Sequence, residues 1–269
     1  MTGMLRTAGT SKRIAYASVF AVVYSITRLF PVSAYVGISS TFTLGETFSP
    51  LAGMLFGPYV GALSVTLGTF IDFLLGRPVI FDGLDFVPGA VAAATAGLSF
   101  TGKIKESLAL PLLFIALFTV DPLSSSLISV GSAEVPFLWM HLLSVVGMGV
   151  VWALVARRGK DQFRWLFIAS TVFLSTMSAH VAGSVLYENV LGRINAVIPP
   201  SRFPSLWATI FFVYPVERAF FTIAGTLIAI PVLRALSRRT ANLKEPRDGI
   251  GHLASSRLPA DVVCDVFPC

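Results

Sequence analysis

Apolar runs recur along the chain, at 14–31, 47–57, 58–76, 84–101, 107–120, 136–156, 164–191 and 206–234, and no other feature constrains the fold as strongly. About 20 predominantly apolar residues cross a bilayer as a helix. In lipid the backbone must satisfy its own polar groups, so such runs become helices. The expectation is an all-α, polytopic transmembrane bundle of about eight apolar segments over residues 1–239, multi-pass in a cell membrane. Composition agrees, because 13% charged and 55% hydrophobic residues leave too few polar groups to cover a globule of 269 residues in water.

The net charge of +6 could point to nucleic acid, but the basic residues lie between the apolar runs rather than on one arm or face. Alternating the eight segments puts Arg6, Lys12, Arg13, Lys103, Lys105, Arg157, Arg158, Lys160, Arg164, Arg234, Arg238 and Arg239 on one side. Arg77, Arg193 and Arg202 fall on the other. By the positive-inside rule both termini are expected to be cytoplasmic. The polar stretch 240–269 carries Pro246, Gly249, Gly251 and Pro259 and is expected to be a poorly ordered cytoplasmic tail. Cys264 and Cys269 match no metal or redox spacing and read as free thiols, and the full-length first run argues against a cleavable signal peptide.

Segments 47–57 and 107–120 are short for a bilayer. The first could reach back through Ser39–Glu46 as a re-entrant or cavity-lining stretch, or follow an ordinary outer loop as a tilted helix. Small residues four apart, Ala17 and Ala21, then Gly53, Gly57 and Gly61, then Gly89, Ala93 and Gly97, permit close helix approach, within this chain or to another. Pro58 after Gly57 predicts a tight turn into the next helix.

These residues resemble the substrate-specific S components of energy-coupling factor (ECF) transporters. The resemblance rests on the Ala17 and Ala21 element after a basic N-terminus, on Gly57-Pro58-Tyr59-Val60-Gly61 followed by Gly68-Thr69-Phe70-Ile71-Asp72, and on Tyr214-Pro215-Val216-Glu217 opening into a basic-ended last helix. It covers about 12–101 and 205–239, and leaves the segments near 107–120 and 136–156 as an apparent extra pair beside a six-helix core. It implies a membrane subunit that captures a vitamin or related micronutrient and hands it to an ECF transmembrane coupling protein and its ATPase subunits. Ala17 and Ala21 would then form the partner interface, and outer loops would close over the substrate, which adds Glu46 and Asp85 as substrate-binding candidates. No Gly-x-x-x-x-Gly-Lys-Ser/Thr loop occurs in the chain, so ATP would be hydrolysed by partners.

Polar residues inside apolar helices mark interiors and cavities. Thr176, His180, Ser184 and Tyr187 form one stripe, with Glu188 and Asn189 at its outer end. Tyr214, Arg218, Thr222 and Thr226 form a second, with Glu217 beside Arg218 roughly 16 Å below the outer end. His180, Ser184, Tyr187, Tyr214, Glu217 and Arg218 are therefore substrate-binding candidates, although a structural role for the Glu217 and Arg218 charges stays open. Asp72 near a helix C-terminus needs a cation, with Arg77, Arg28 or Arg218 in reach, and Tyr35, Thr43 and Asp82 are possible neighbours of the site. Mixed signs leave the vitamin unselected. No nucleophile elbow, His-Glu-x-x-His helix or carboxylate cluster is present, so an intramembrane enzyme, a metal or a cofactor is not expected. A self-sufficient secondary transporter, coupled through Glu217, Arg218 or Asp72, is the alternative function.

Overall fold

A computed structural model of the chain describes residues 10–159 and 162–242. The expectations for most of the tail, with Cys264 and Cys269, fall outside the described residues.

The chain is mostly helical, at 74%. Its elements run α1 (Thr10–Arg28), β1 (Pro31–Ala34), β2 (Thr41–Thr43), α2 (Gly45–Phe56), α3 (Pro58–Leu74), α4 (Val87–Phe100) and α5 (Ile104–Val120). Then follow β3 (Leu127–Val130), β4 (Ala133–Pro136), α6 (Trp139–Arg158), α7 (Arg164–Leu186), a π-helical extension of α7 (Tyr187–Ile194), a 3-10 turn (Pro200–Arg202) and α8 (Phe203–Asn242). Three stretches are long and apolar enough to cross a membrane, namely Trp139–Arg158, Arg164–Ile194 and Pro200–Ser237. The expectation of eight spans is met only in part. At 12 residues α2 is about 18 Å long, well short of a hydrocarbon core of about 30 Å, and α5 opens on Lys105 and Glu106.

The exterior of the long helices is what lipid would cover. On α8, Val216 is 75% exposed while Arg218, two positions on, is 0% exposed, an inversion of the soluble pattern. Leu142, Leu143, Val146 and Val150 of α6 are likewise exposed. The central helix is α7, 67% of whose apolar window is buried, against 28% for the α6 span and 22% for the α8 span.

Small residues bring the first helices together. A Cβ at Gly53 would collide with the Ala93 carbonyl, and one at Gly97 would collide with the Pro58 nitrogen. The Gly53–Gly61 and Gly89–Gly97 series thus pack against each other within the chain, joining α2, α3 and α4. Gly57 takes φ +83°, a conformation glycine adopts freely, and Pro58 occupies the first turn of α3 as its spacing predicts. Ala17 and Ala21 are 4% and 1% exposed, and a Cβ on Gly68 of α3 would lie 2.6 Å from the Ala21 carbonyl oxygen. Ala21 thus faces Gly68 in a seam between α1 and α3, and Ala17 is buried on the same helix. The exposed face of α1 is instead Ile14, Val19, Val22 and Ile26.

The turns at one end of the bundle carry two antiparallel hairpins that helical periodicity does not foresee, β1–β2 and β3–β4. The Ser39–Glu46 stretch, expected to be either a re-entrant or cavity-lining segment or an ordinary outer loop, is a strand followed by a helix start, and Thr41, Phe42, Thr43 and Glu46 line a cavity. Thr41–Thr43 pairs with Pro31–Ala34, and α2 begins at Gly45. Side chains cross-link the turns at this end. Tyr187 Oη donates to the Val36 carbonyl at 2.8 Å, Trp207 Nε1 to the Leu123 carbonyl at 2.9 Å, and Asn195 Nδ2 to Asp82 Oδ1 at 3.0 Å.

The glycine seam gives a stability prediction. Gly53→Ala should destabilise the protein by about 1–3 kcal/mol, because the new methyl has only backbone to push against. Gly147→Ala on α6, where no atom lies within 4 Å of the added Cβ, should be neutral or stabilising by up to about 1 kcal/mol. Thermal unfolding of the two variants in one detergent checks the contrast, and equal midpoints would contradict it.

Candidate functional site

The hairpin end of the bundle forms a partly open cavity of about 80 Å³. This lies below the roughly 300–1,000 Å³ of most ligand pockets, so the space suits only a compact molecule. Its walls come from α1, the β1–β2 hairpin, α2, the α3–α4 loop, α7 and α8. Glu46, Asp85, His180, Ser184, Tyr187, Tyr214, Glu217 and Arg218, the sequence-derived candidates, all border it. Tyr35 and Thr43, weighed as neighbours, border it too, as do Arg28 and Arg77. Asp82 does not line it; it is exposed and bonded to Asn195.

Arg218 anchors the floor. Its Nη2 meets Glu217 Oε2 at 3.0 Å, its Nη1 lies 3.9 Å from Glu46 Oε2, and its Nε is buried without a hydrogen-bond partner among the described residues. The guanidinium sits 4.5 Å from the Phe42 ring centroid and 4.9 Å from that of Phe221. Tyr35 stacks on Phe42 at 3.9 Å, so the hairpin is joined to α8 by a layered stack. Ser33 donates to Glu217 and adds a second tie between β1 and α8.

Arg28 and Asp72 form a separate buried ion pair between α1 and α3, which resolves the cation required by Asp72. Asp72 also accepts from Ser25 Oγ at 2.5 Å, while Arg28 Nη1 reaches Thr69 Oγ1 at 3.3 Å and Tyr24 Oη at 3.4 Å. Arg77 donates to the Arg28 carbonyl and, at 3.3 Å, to the Thr41 carbonyl, holding the hairpin's second strand. Burial, together with the Arg28 charge, lowers the Arg77 pKa. Burial, with Glu46 adding to it, pushes the Tyr35 phenol above its usual range, so its hydroxyl stays protonated.

Several candidates have their polar groups already engaged. Asp85 accepts from the Ile80 and Phe81 backbone N–H groups at 2.9 and 3.0 Å, so both its oxygens brace the α3–α4 loop. Ser184 donates to the His180 carbonyl at 2.9 Å, and Tyr214 to the Phe137 carbonyl at 2.8 Å. The α7 and α8 stripes face each other as expected of consecutive helices, with Thr176 Oγ1 and Thr222 Oγ1 3.1 Å apart and the His180 and Tyr214 rings stacked at 4.9 Å. Glu188 and Asn189 point elsewhere: Glu188 accepts from Ser124 at 2.6 Å, and Asn189 reaches Asp121 at 3.3 Å. Among the described residues no group of three His, Cys, Asp or Glu side chains could hold a metal ion.

Sequence reasoning missed Phe42, Trp207 and the hydrogen bond between His141 Nε2 and His180 Nδ1 at 3.0 Å. Trp207 carried a usable signal, because Trp207, Phe211, Tyr214 and Arg218 repeat at four, three and four. The histidine pair carried none, since it joins positions 39 apart on different helices.

The Arg28–Asp72 pair makes a second prediction. Asp72→Asn should destabilise the bundle by about 3–5 kcal/mol, because it leaves a buried guanidinium uncompensated. The double change Arg28→Met with Asp72→Asn should recover much of that loss. Thermal unfolding of single and double variants measures the coupling, and additive losses would contradict it.

No family model matches the chain, and no solved structure matches it. The chain is similar to an uncharacterized protein of Methanocaldococcus jannaschii, 23% identical over 218 residues that cover 78% of this chain and 68% of that protein.

Proposed function

We propose that this protein is a membrane substrate-binding subunit that captures a small, vitamin-like molecule from outside the cell and passes it to an ATP-driven coupling module, as an ECF S component does. The observation that carries the reading is the cavity itself. Eight residues picked out for depth, polarity or loop position border it, and three arginines and three carboxylates line it. Charges at membrane depth are costly and are kept where they serve a site or its scaffold. The balance of signs suits a neutral or zwitterionic ligand, and the volume suits a compact one.

Division of labour follows from which groups have bonds to spare. Asp85 and the Arg28–Asp72 pair shape the walls. Glu46, whose ionic contact is at 3.9 Å, keeps capacity for a ligand. With Ala17 and Ala21 buried, a coupling partner would meet the exposed apolar face of α1. In this reading the hairpin end faces outward and both chain ends face the cytoplasm, in keeping with the basic residues at the opposite end.

A secondary transporter remains the second reading, favoured by the buried Arg28–Asp72 and Arg218–Glu217 pairs, which could move coupling ions. Uptake of a labelled vitamin panel by cells carrying this chain with and without coupling subunits separates the two. Accumulation that requires the coupling subunits is expected, and accumulation by this chain alone would overturn the capture-subunit reading. For a transported compound, Glu46→Gln should weaken binding by about 1–3 kcal/mol, the cost of a lost charged hydrogen bond, while unfolding temperature changes little. Unchanged affinity would remove Glu46 from the site.

A further inference from the structure

His141 on α6 is 1% exposed and does not line the cavity, yet its Nε2 lies 3.0 Å from Nδ1 of His180, which does. The two rings are 5.1 Å apart at 30°, and the His180 ring lies 4.9 Å from Tyr214 at 23°. Aromatic neighbours on both sides therefore restrict rotation of the pair.

One hydrogen bond between two imidazoles requires one N–H and one bare nitrogen, which leaves two arrangements of neutral rings. If His180 Nδ1–H donates, His141 must carry its proton on Nδ1. That nitrogen is buried and has no hydrogen-bond partner among the described residues, so the arrangement strands a buried N–H. If His141 Nε2–H donates, Nδ1 of His141 is a bare lone pair, and only an acceptor goes unused. In this second arrangement His180 Nδ1 accepts, and its proton must sit on Nε2. Among the described residues His180 Nε2 has no hydrogen-bond partner and is not one of the sealed unpaired atoms, and His180 borders the cavity.

We propose that His141 is a positioning residue that locks His180 as a hydrogen-bond donor into the cavity, so that the site selects a compact ring presenting an acceptor, an unprotonated ring nitrogen or a carbonyl oxygen, to Nε2. The ligand half of this proposal rests on the reading of the cavity as a substrate site, and the tautomer half does not. Glu46 supplies an acceptor for a donor elsewhere on the ligand.

The tautomer is tested without any ligand. The full chain, labelled with ¹⁵N-histidine and held in nanodiscs at pH 8, has three histidines, and single His→Gln changes at 141, 180 and 252 assign the rings. His180 is expected to show a protonated Nε2 and a bare Nδ1, and His141→Gln or His141→Phe, whichever folds, should shift His180 toward a mixture of tautomers. A bare Nε2 at His180, or no change on removing His141, would overturn the relay. The three pyridylmethanol isomers and benzyl alcohol, which differ by one ring nitrogen, test the ligand half. At least one pyridyl isomer should bind about tenfold tighter than benzyl alcohol, with the gap closing in His180→Phe. A gap that is absent, or that survives in His180→Phe, overturns the acceptor selection. A protonated Nε2 with none of the four probes bound counts instead against the cavity as a substrate site.

Discussion

A guanidinium buried in a helix long and apolar enough to cross a membrane is the constraint around which the hairpin end of this protein is organised. Arg218 has no exposure, and desolvating a charge costs several kcal/mol unless partners replace water. The partners come from separate parts of the chain: Glu217 from the same helix, Glu46 from the start of α2, and the ring of Phe42 from the hairpin between α1 and α2. Satisfying one charge therefore draws three elements together. The space they leave, walled by α7 on the far side, is the cavity.

A second buried pair holds the other half of the same end. Arg28 and Asp72 close α1 onto α3 where Ala21 and Gly68 let the backbones meet, and the Arg28 carbonyl in turn receives Arg77. Close approach and charge pairing thus depend on each other. The seam is narrow enough for short salt-bridge geometry only because no Cβ intrudes, and the buried charges are tolerable only because the seam is narrow. Together with the cross-links from Tyr187, Trp207 and Asn195, these pairs tie the turns of the loop end to the helices and to one another.

The helices were legible because the apolar runs are long and because Gly57-Pro58 punctuates them without ambiguity. Polarity at depth also marked the cavity residues on α7 and α8, since a helix has one inward face and spacing identifies it. Three things were not legible. Whether a small-residue stripe meets its own chain or another is decided by tertiary contacts, and Ala17 and Ala21 turned inward. Whether a carboxylate is free or spent depends on loop backbone, and Asp85 is occupied by the N–H groups of Ile80 and Phe81. The hairpins were missed because Pro31–Ala34 and Thr41–Thr43 are too short for alternation to register against the helical signal around them.

The central claim is that the cavity is a place for a small molecule rather than a by-product of packing charged helices. Native mass spectrometry of the protein released from nanodiscs tests it most directly. The wild-type chain, purified from cells or after exposure to a vitamin panel, should carry one small-molecule adduct. Ser184→Trp, which fills the cavity from α7, should abolish the adduct while the charge-state distribution of folded protein is kept. A wild-type spectrum without adduct under every loading condition, or an adduct that persists in Ser184→Trp, would contradict the account.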